Sequence, residues 1–360
     1  MKNIINRSTR LKYILIIGLL MALNACEKFE FALDADTFFH VKIDGTELPV
    51  WVKGNTASSK FVIYINGGPG LTSIDVAKAD MFNWSQGLEE NFAMVYYDQR
   101  GCGNAQGNFD EKLLTVSQFV KDLDAIISVL NAKYENPDIY LMGHSFGSFI
   151  GVNYLLSSNY QTKIRAWISI DGAYNFDYDL SWQYRRTFLI NIANEEISKG
   201  NMLDHWTAAL DWTDVNQIIT TREQKNKWRG FVGWPGGIII PEELSSLSTR
   251  QYLRIGFSSS YNPFPAYLSK NLDIVNDRLN EDAEGKNFIA EVSKVTIPCL
   301  LIWGKYDDLI VPEEGLDVFN NFGTSANDKF YKIFPHSSHE PYISDPDNFK
   351  KEIIEFVKKY

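Results

Sequence analysis

The stretch "DIYLMGHSFGSFIGVNYLL", residues 138–156, decides the fold. Its first part is a short apolar run typical of a strand buried on both faces, and its second part suits a helix packed on a sheet. At the junction, Ser145 has Gly143 and Gly147 two residues away on either side. Glycines so placed predict a sharp strand-to-helix turn that holds the serine hydroxyl exposed at the edge of a sheet.

Apolar runs on both sides of this stretch indicate the rest of the sheet. Two alternating runs within residues 38–54 predict a leading antiparallel pair that turns at Asp44-Gly45. Between later strands, the apolar positions of residues 119–130 fall on one helical face, which Thr115 or Ser117 could cap. Strands that alternate with helices predict a mostly parallel eight-stranded sheet with helices on both faces. The remaining strands are predicted at 61–66, 93–98, 138–143, 165–171, 299–304 and 329–334.

The alternation of strands and helices stops near residue 172 and resumes near residue 295. The intervening sequence is mostly helical in pattern and rich in tryptophan. We interpret residues 173–290 as a helical cap inserted over the carboxyl edge of the sheet, with 27–172 and 291–360 as the core. The cap tryptophans are Trp182, Trp206, Trp212, Trp228 and Trp234, the last within "GWPGG".

The first 26 residues have the pattern of an export signal. Basic residues precede an apolar run, 13–23, that is too short to span a bilayer but has the length of a signal-peptide core. The run ends in "LNAC", which resembles the bacterial lipoprotein signal, where Cys26 would become the lipidated first residue. The alternative is a plain secretory signal cut near Ala25. Both interpretations predict an exported protein, and the first predicts a membrane anchor.

Composition limits the function classes. The net charge of −10 leaves no broad basic face, so nucleic acid is not an expected partner. Only Cys102 and Cys299 follow the signal, which is too few for a disulfide framework in a domain of this size. We interpret Cys102 as a small loop residue rather than a nucleophile. The sequence calls for neither a metal nor a cofactor.

A serine hydroxyl is a poor nucleophile unless a base lies within hydrogen-bond reach and a third group orients that base. The chain has five histidines. His40 and His205 suit surface or packing roles, and the side chain of His144 should point away from that of the adjacent serine. His336 and His339 remain, both in the loop after the last predicted strand.

The acid is expected in the loop after strand 299–304, which offers Asp307 and Asp308. Asp171, at the end of an earlier strand, is a third candidate. The order serine, acid, histidine along the chain matches the α/β-hydrolases rather than chymotrypsin or subtilisin.

Two main-chain amides could bind a developing oxyanion. One is the amide of Phe146, directly after the serine, and the other is that of Gly68 in the loop "NGGPG", residues 66–70. Glycines there let the backbone approach a substrate closely. The loop has neither P-loop nor G-x-G-x-x-G spacing, which speaks against phosphate binding.

The motifs "NGGPG", "DQRGCG", "GHSFG", "GKYDD" and "SSHEP" occur in an order that resembles the prolyl aminopeptidases (proline iminopeptidases) of the α/β-hydrolase fold. The resemblance covers roughly residues 35–172 and 295–358. It favours His339 as the base, because Pro346 follows seven residues later, as in the family's histidine loop. Counting three residues from Gly304 favours Asp307 as the acid, whereas counting four back from Pro312 favours Asp308. We take Asp307 as the acid and Asp308 as the alternative.

The same resemblance implies further roles. Asp98 and Arg100 would brace the site, and acidic cap residues would receive the amino terminus of the substrate, with Glu195 and Glu196 as the candidates. The chain departs from the family at Asn66, where histidine is usual, and at Ala105, where serine is usual.

These features predict a serine hydrolase that acts through an acyl-enzyme and releases an N-terminal residue such as proline from small peptides. A carboxylesterase or lactonase with the same triad is the first alternative, because acyl transfer is common to all three. An exported lipoprotein that binds without turnover is the alternative of another class. Hydrolases of this fold that attack with aspartate are excluded, because this chain has Ser145 at that position.

Overall fold

The computed structural model describes residues 36–105, 109–233, Thr249 and 271–360. The predicted export signal with Cys26 lies outside the described residues, as do Trp234 and the three residues after it in "GWPGG".

The described residues form one eight-stranded sheet in the order β1-β2-β4-β3-β5-β6-β7-β8. The pairs β1/β2 and β2/β4 are antiparallel, and every other neighbouring pair is parallel. The predicted mostly parallel sheet is therefore confirmed, including its leading antiparallel pair. The strands are β1 (Thr37–Ile43), β2 (Thr46–Gly54), β3 (Lys60–Ile65), β4 (Ala93–Tyr97), β5 (Asp138–His144), β6 (Ala166–Ile170), β7 (Cys299–Gly304) and β8 (Lys329–Phe334).

Helices cover both faces of this sheet. The core helices in the described residues are α1 (Ser73–Ala79), α2 (Leu88–Asn91), α3 (Val116–Lys133), α4 (Phe146–Leu156), α9 (Pro312–Asn321), α10 (Pro341–Ser344) and α11 (Pro346–Lys359). Thr115 caps α3 by accepting from the amide of Gln118, one of the two caps expected from the sequence.

Alternate residues of each central strand belong to different layers of the core. In β3, Ile63 packs in the layer that contains α3 and α4, whereas Tyr64 packs in the layer that contains α1 and α11. Because both faces are covered, the strands are apolar without interruption, which is why the sequence showed runs rather than alternation.

The described residues include four further helices between β6 and β7, in the segment predicted to form the cap. They are α5 (Tyr178–Ser198), α6 (Leu203–Val215), α7 (Arg222–Val232) and α8 (Asn271–Ala283). Trp182, Trp206 and Trp228 form the buried centre of a separate cluster there, to which Val311 of the core contributes. Among the described helices, none combines the length and the apolar character needed to cross a membrane.

Candidate active site

Ser145 occupies a strained turn between β5 and α4. Its backbone angles are φ 52° and ψ −123°, a conformation that non-glycine residues rarely adopt and that costs about 1–3 kcal/mol. Two main-chain hydrogen bonds to the end of β6 and the residues after it hold this turn. The amide of Ser145 donates to the carbonyl of Ile170 at 3.0 Å, and the carbonyl of Ser145 accepts from the amide of Ala173 at 3.1 Å. The chain thus fixes the serine at the carboxyl edge of the sheet, as the glycine spacing predicted.

Gly147 lets α4 approach the sheet closely. A Cβ atom at this position would lie 1.9 Å from the carbonyl oxygen of Ile65, which a side chain cannot occupy without moving strand β3 or the helix.

We therefore expect Gly147→Ala to lower the free energy of unfolding by about 3 kcal/mol or more, because the overlap is with main chain. Gly230→Ala is the matched control. Gly230 lies within helix α7 with no atom within 4 Å of an added Cβ, so alanine there should stabilise by about 0.5–1 kcal/mol. Denaturant unfolding of both variants checks the pair, and an equal effect at the two positions would contradict it.

His339 and Asp307 form a hydrogen-bonded pair. Nδ1 of His339 lies 2.9 Å from Oδ2 of Asp307, whose side chain is fully buried. The other carboxylate oxygen accepts from the amides of Leu309 and Ile310 at 2.9 and 3.0 Å. With Nδ1 donating to the carboxylate, Nε2 is the nitrogen left to accept a proton.

The other two acids occupy different places. Asp308 lines the cavity described below, and burial followed by the charge of Asp307 raises the pKa of its carboxyl. Asp171 is buried at the end of β6, where it accepts from the amide of Gly304 at 2.8 Å. Ligand atoms of Asp171, Asp307 and His339 lie within 4.8 Å of one another. Asp307 is the one that the structure pairs with His339.

His336 and Cys102 are not part of this arrangement. His336 is exposed on the loop after β8. Cys102 is buried, burial raises the pKa of its thiol far above the ordinary value, and Sγ donates to the carbonyl of Arg100 at 3.3 Å. A thiol so placed is not primed for attack.

Asn66 shapes the glycine loop after β3. Its Oδ1 accepts from the amide of Gly67 at 2.9 Å, and its Nδ2 donates to the carbonyl of Thr72 at 2.9 Å, so the side chain closes the loop across its base. The amide of Gly67 therefore already donates a hydrogen bond within the loop. Gly68 and Phe146, the residues of the two predicted oxyanion donors, line the same cavity as Ser145.

Asp98 and Arg100 are buried supports. Oδ1 of Asp98 accepts from the amides of Ser73 and Ile74 at 2.8 and 3.0 Å, which fixes the start of α1 directly after the glycine loop. Arg100 forms a bidentate pair with Asp122 of α3, at 2.9 and 2.7 Å. Neither residue lines the cavity, so their contacts fit bracing rather than chemistry.

The described residues enclose a cavity of about 660 Å³ in front of Ser145. Part of its wall is aromatic, from Phe146, Phe176, Tyr178, Trp182 and Trp228. Among its described ionisable residues, carboxyl groups outnumber guanidinium groups five to two. They are Asp177, Glu281, Glu284, Asp308 and Glu314 against Arg185 and Arg229. Glu314 holds its proton near neutral pH, because its pKa is raised to about 8. The other carboxyl groups still outnumber the guanidinium groups, which favours a ligand with a positive charge.

Comparison with known proteins agrees with this geometry. The family model described as "alpha/beta hydrolase fold" matches residues 60–346, which is most of the chain. The chain belongs to the α/β-hydrolase family. Residues 60–346 include the elbow at Ser145, the glycine loop, and the Asp307–His339 pair.

Relatives of this α/β-hydrolase are named as aminopeptidases. "Probable aminopeptidase YbaC" of Bacillus subtilis is 24% identical over 322 residues, which cover 89% of this chain and 96% of that protein. A proline iminopeptidase of Heyndrickxia coagulans is 28% identical over 302 residues, covering 82% and 90%.

Solved structures share the fold. An esterase from Exiguobacterium antarcticum superposes with a TM-score of 0.55 at 14% identity, covering 90% of this chain and all of that one. A proline iminopeptidase of Mycobacterium smegmatis gives a TM-score of 0.52 at 16% identity, covering 90% and 98%. At such identities the likeness concerns the fold alone.

Glu195 and Glu196 do not reach the cavity of this α/β-hydrolase. Glu195 of α5 pairs with Lys199 and Lys305, and both lysines hold the pKa of its carboxyl below the ordinary value. Glu196 is buried against Lys199 and Asn201, each at 2.7 Å. The structure therefore engages both carboxylates elsewhere and gives the predicted amine-binding role of this pair no support.

Glu314 is a cavity residue that the sequence did not single out. It lies in the first turn of α9 and is 3% exposed. Burial raises the pKa of Glu314 from its ordinary value of 4.5 to about 8, against the opposing effect of Arg185. Nothing in "VPEEG" distinguishes a buried glutamate from a solvated one at a helix start.

The raised pKa of Glu314 predicts a pH dependence of stability. The folded chain retains a proton that the unfolded chain releases, so the free energy of unfolding falls as the pH rises from 4.5 to about 8. Glu314→Gln removes this loss. Between pH 5 and pH 8, the free energy of unfolding of the variant should therefore rise by about 2–4 kcal/mol relative to that of wild type. Denaturant unfolding of wild type and variant at both pH values measures this difference in the free energy of unfolding. Glu355→Gln, at an exposed position, is the control, and equal pH dependence in the two variants would contradict the assignment.

Proposed function

We propose that this α/β-hydrolase is a serine hydrolase. One arrangement carries the proposal: a serine in a strained turn lines a cavity, and the residue before it lies within hydrogen-bond distance of the main chain of a histidine whose Nδ1 is bonded to a buried carboxylate. The ring of His144, the residue before Ser145, lies 4.9 Å from the ring of His339. These parts have the roles of nucleophile, base and orienting acid.

In the proposed reaction, Oγ of Ser145 attacks the substrate carbonyl while Nε2 of His339 takes the hydroxyl proton. The amides of Phe146 and Gly68 bind the oxyanion of the tetrahedral intermediate. His339 then gives its proton to the leaving amine as the C–N bond breaks, which leaves an acyl-enzyme. Water, deprotonated by His339, attacks the ester, and Oγ recovers the proton as the acid product leaves.

We further propose that the substrate is a small peptide or amide with a free amino terminus, such as one that begins with proline. Relatives that cover most of the chain are named aminopeptidase or proline iminopeptidase. The carboxyl-rich wall of the cavity suits a substrate ammonium group, and its aromatic part suits an apolar ring.

A panel of aminoacyl-naphthylamides, their N-acetyl derivatives and short acyl esters tests both proposals. Prolyl-naphthylamide should be hydrolysed with kcat/KM about 10- to 100-fold above its N-acetyl derivative, because acetylation removes the charge. Turnover of esters alone would move the assignment to a carboxylesterase or lactonase. A folded protein that neither turns over nor reacts with a fluorophosphonate would be a binding protein.

We also propose that the protein is exported and anchored through Cys26, on the pattern of the first 26 residues. The wild-type chain expressed in bacteria should fractionate with membranes, and Cys26→Ser should not. A wild-type chain in the soluble periplasmic fraction would instead fit a secretory signal cut near Ala25.

A further inference from the structure

The imidazole of His144 connects strand β5 to the loop that carries His339. Its Nε2 lies 3.0 Å from the main-chain oxygen of His339. A carbonyl oxygen can only accept, so Nε2 carries the hydrogen and Nδ1 is an acceptor. The hydroxyl of Tyr342, in α10, lies 3.4 Å from that Nδ1. The contact with the carbonyl selects this tautomer of His144; the hydroxyl of Tyr342 also lies 3.3 Å from Oε1 of Glu340.

The surroundings keep this ring uncharged. His144 is 3% exposed, and burial, followed by the nearby His339, lowers the pKa of its imidazole to about 3. The rings of His144 and His339 lie 4.9 Å apart. A charged ring at this distance would oppose the positive charge that His339 gains as a base. A neutral ring can support His339 at every working pH.

The ring is also confined from the side of the glycine loop. A Cβ atom on Gly67 would lie 3.1 Å from Nδ1 of His144 and 3.0 Å from Cβ of Ser145. The imidazole thus packs between the glycine loop and the histidine loop, one residue from the proposed nucleophile. Little space remains for it to rotate.

We propose that His144 is a positioning residue that sets the distance between His339 and Ser145. Asp307 orients the ring of His339, and His144 fixes the main chain of the same residue from the strand that ends at Ser145. Because one hydrogen bond starts on the residue before Ser145 and ends on residue 339, movement of one loop is transmitted to the other. This inference rests on the proposed serine mechanism.

His144→Gln and His144→Asn test the inference as a matched pair. Both are neutral amides, but the glutamine nitrogen reaches the position of Nε2, whereas that of asparagine reaches only the position of Nδ1. His144→Gln should keep kcat within about 5-fold of wild type, and His144→Asn should lower it about 10- to 100-fold with KM nearly unchanged. The acidic limb of the pH profile of kcat/KM should shift only in the asparagine variant, because the ring of His339 then moves away from the carboxylate of Asp307.

His205→Asn is the control for losing a histidine-to-carbonyl contact elsewhere. Nε2 of His205 lies 3.2 Å from the carbonyl of Phe231 in the cap, and His205 does not line the cavity. This variant should lower the unfolding temperature and leave kcat and the pH profile unchanged.

Equal kcat for the two His144 variants, or a kcat loss in His205→Asn as large as in His144→Asn, would overturn the inference. If His144→Asn fails to fold, His144→Gln tests the inference alone. Its pH profile of kcat/KM must then coincide with that of wild type. A wild-type protein without turnover or fluorophosphonate labelling would overturn the proposed function itself, a result that the His144 variants cannot produce.

Discussion

Ser145→Ala is expected to lower kcat about 10⁶-fold, to the level that binding and the oxyanion amides alone can provide. The substitution removes the atom that forms the acyl-enzyme in the proposed reaction. Of the two described serines that line the cavity, Ser145 is on the elbow between β5 and α4, whereas Ser181 lies in helix α5. The measurement is kcat on whichever substrate the panel identifies, together with labelling by a fluorophosphonate, which should disappear. The fold should be retained, because the strain at φ 52° belongs to the backbone and not to Oγ.

Ser157→Ala is the matched control for this variant. Ser157 follows the other end of helix α4, and its hydroxyl donates to the carbonyl of Asn153 at 2.6 Å, away from the cavity. It should keep kcat and labelling within about 2-fold of wild type. Turnover by Ser145→Ala within 100-fold of wild type would exclude the acyl-enzyme route through this residue.

The sheet could be predicted because its signal is local. Strands such as β5 and β6 are covered on both faces, so each reads as an unbroken apolar run, and turn residues mark their ends. The elbow could be predicted for a related reason. Gly147 has no alternative at a position where a side chain would meet the carbonyl of Ile65.

The roles of acidic side chains could not be predicted in this way, because they depend on partners far along the chain. Glu195 is engaged by Lys305, which is 110 positions away, and nothing near Glu195 in the sequence indicates this pair. Glu314 is buried in α9, a helix that contacts α5. Its neighbour Glu313, with the same sequence surroundings, instead accepts from Asn191 at 2.7 Å.

His144 shows a different limit of prediction from the sequence, which concerns contacts with the main chain. From the sequence, its side chain has no predicted part in the site, whereas the structure places the ring 4.9 Å from that of His339. The sequence could not identify the hydrogen-bond partner of the ring, which is the main-chain oxygen of residue 339. Main-chain acceptors have no sequence signature, so a bond of this kind becomes visible only when the loops are placed.

Asp307→Asn is expected to lower kcat about 10⁴-fold while KM changes little. Oδ2 of Asp307 accepts from Nδ1 of His339, and an amide in its place can present its NH₂ group to that nitrogen, which favours the tautomer with the proton on Nε2. His339 in that tautomer cannot take the proton of Ser145. Nothing changes in the cavity wall, since Asp307 does not line it.

Asp308→Asn is the matched control, one residue further along the same loop. Asp308 lines the cavity and carries no hydrogen bond to His339 in the described structure, so its loss should act on KM for charged substrates and change kcat less than about 10-fold. If instead Asp308→Asn abolished kcat and Asp307→Asn did not, the triad acid would be Asp308. Because the two variants differ only in which adjacent carboxylate is neutralised, the general charge of the loop cannot explain a difference between them. A kcat for Asp307→Asn within 10-fold of wild type would mean that another group orients the imidazole, and Asp171, with a carboxylate oxygen within 4.8 Å of a ring nitrogen of His339, would be the candidate.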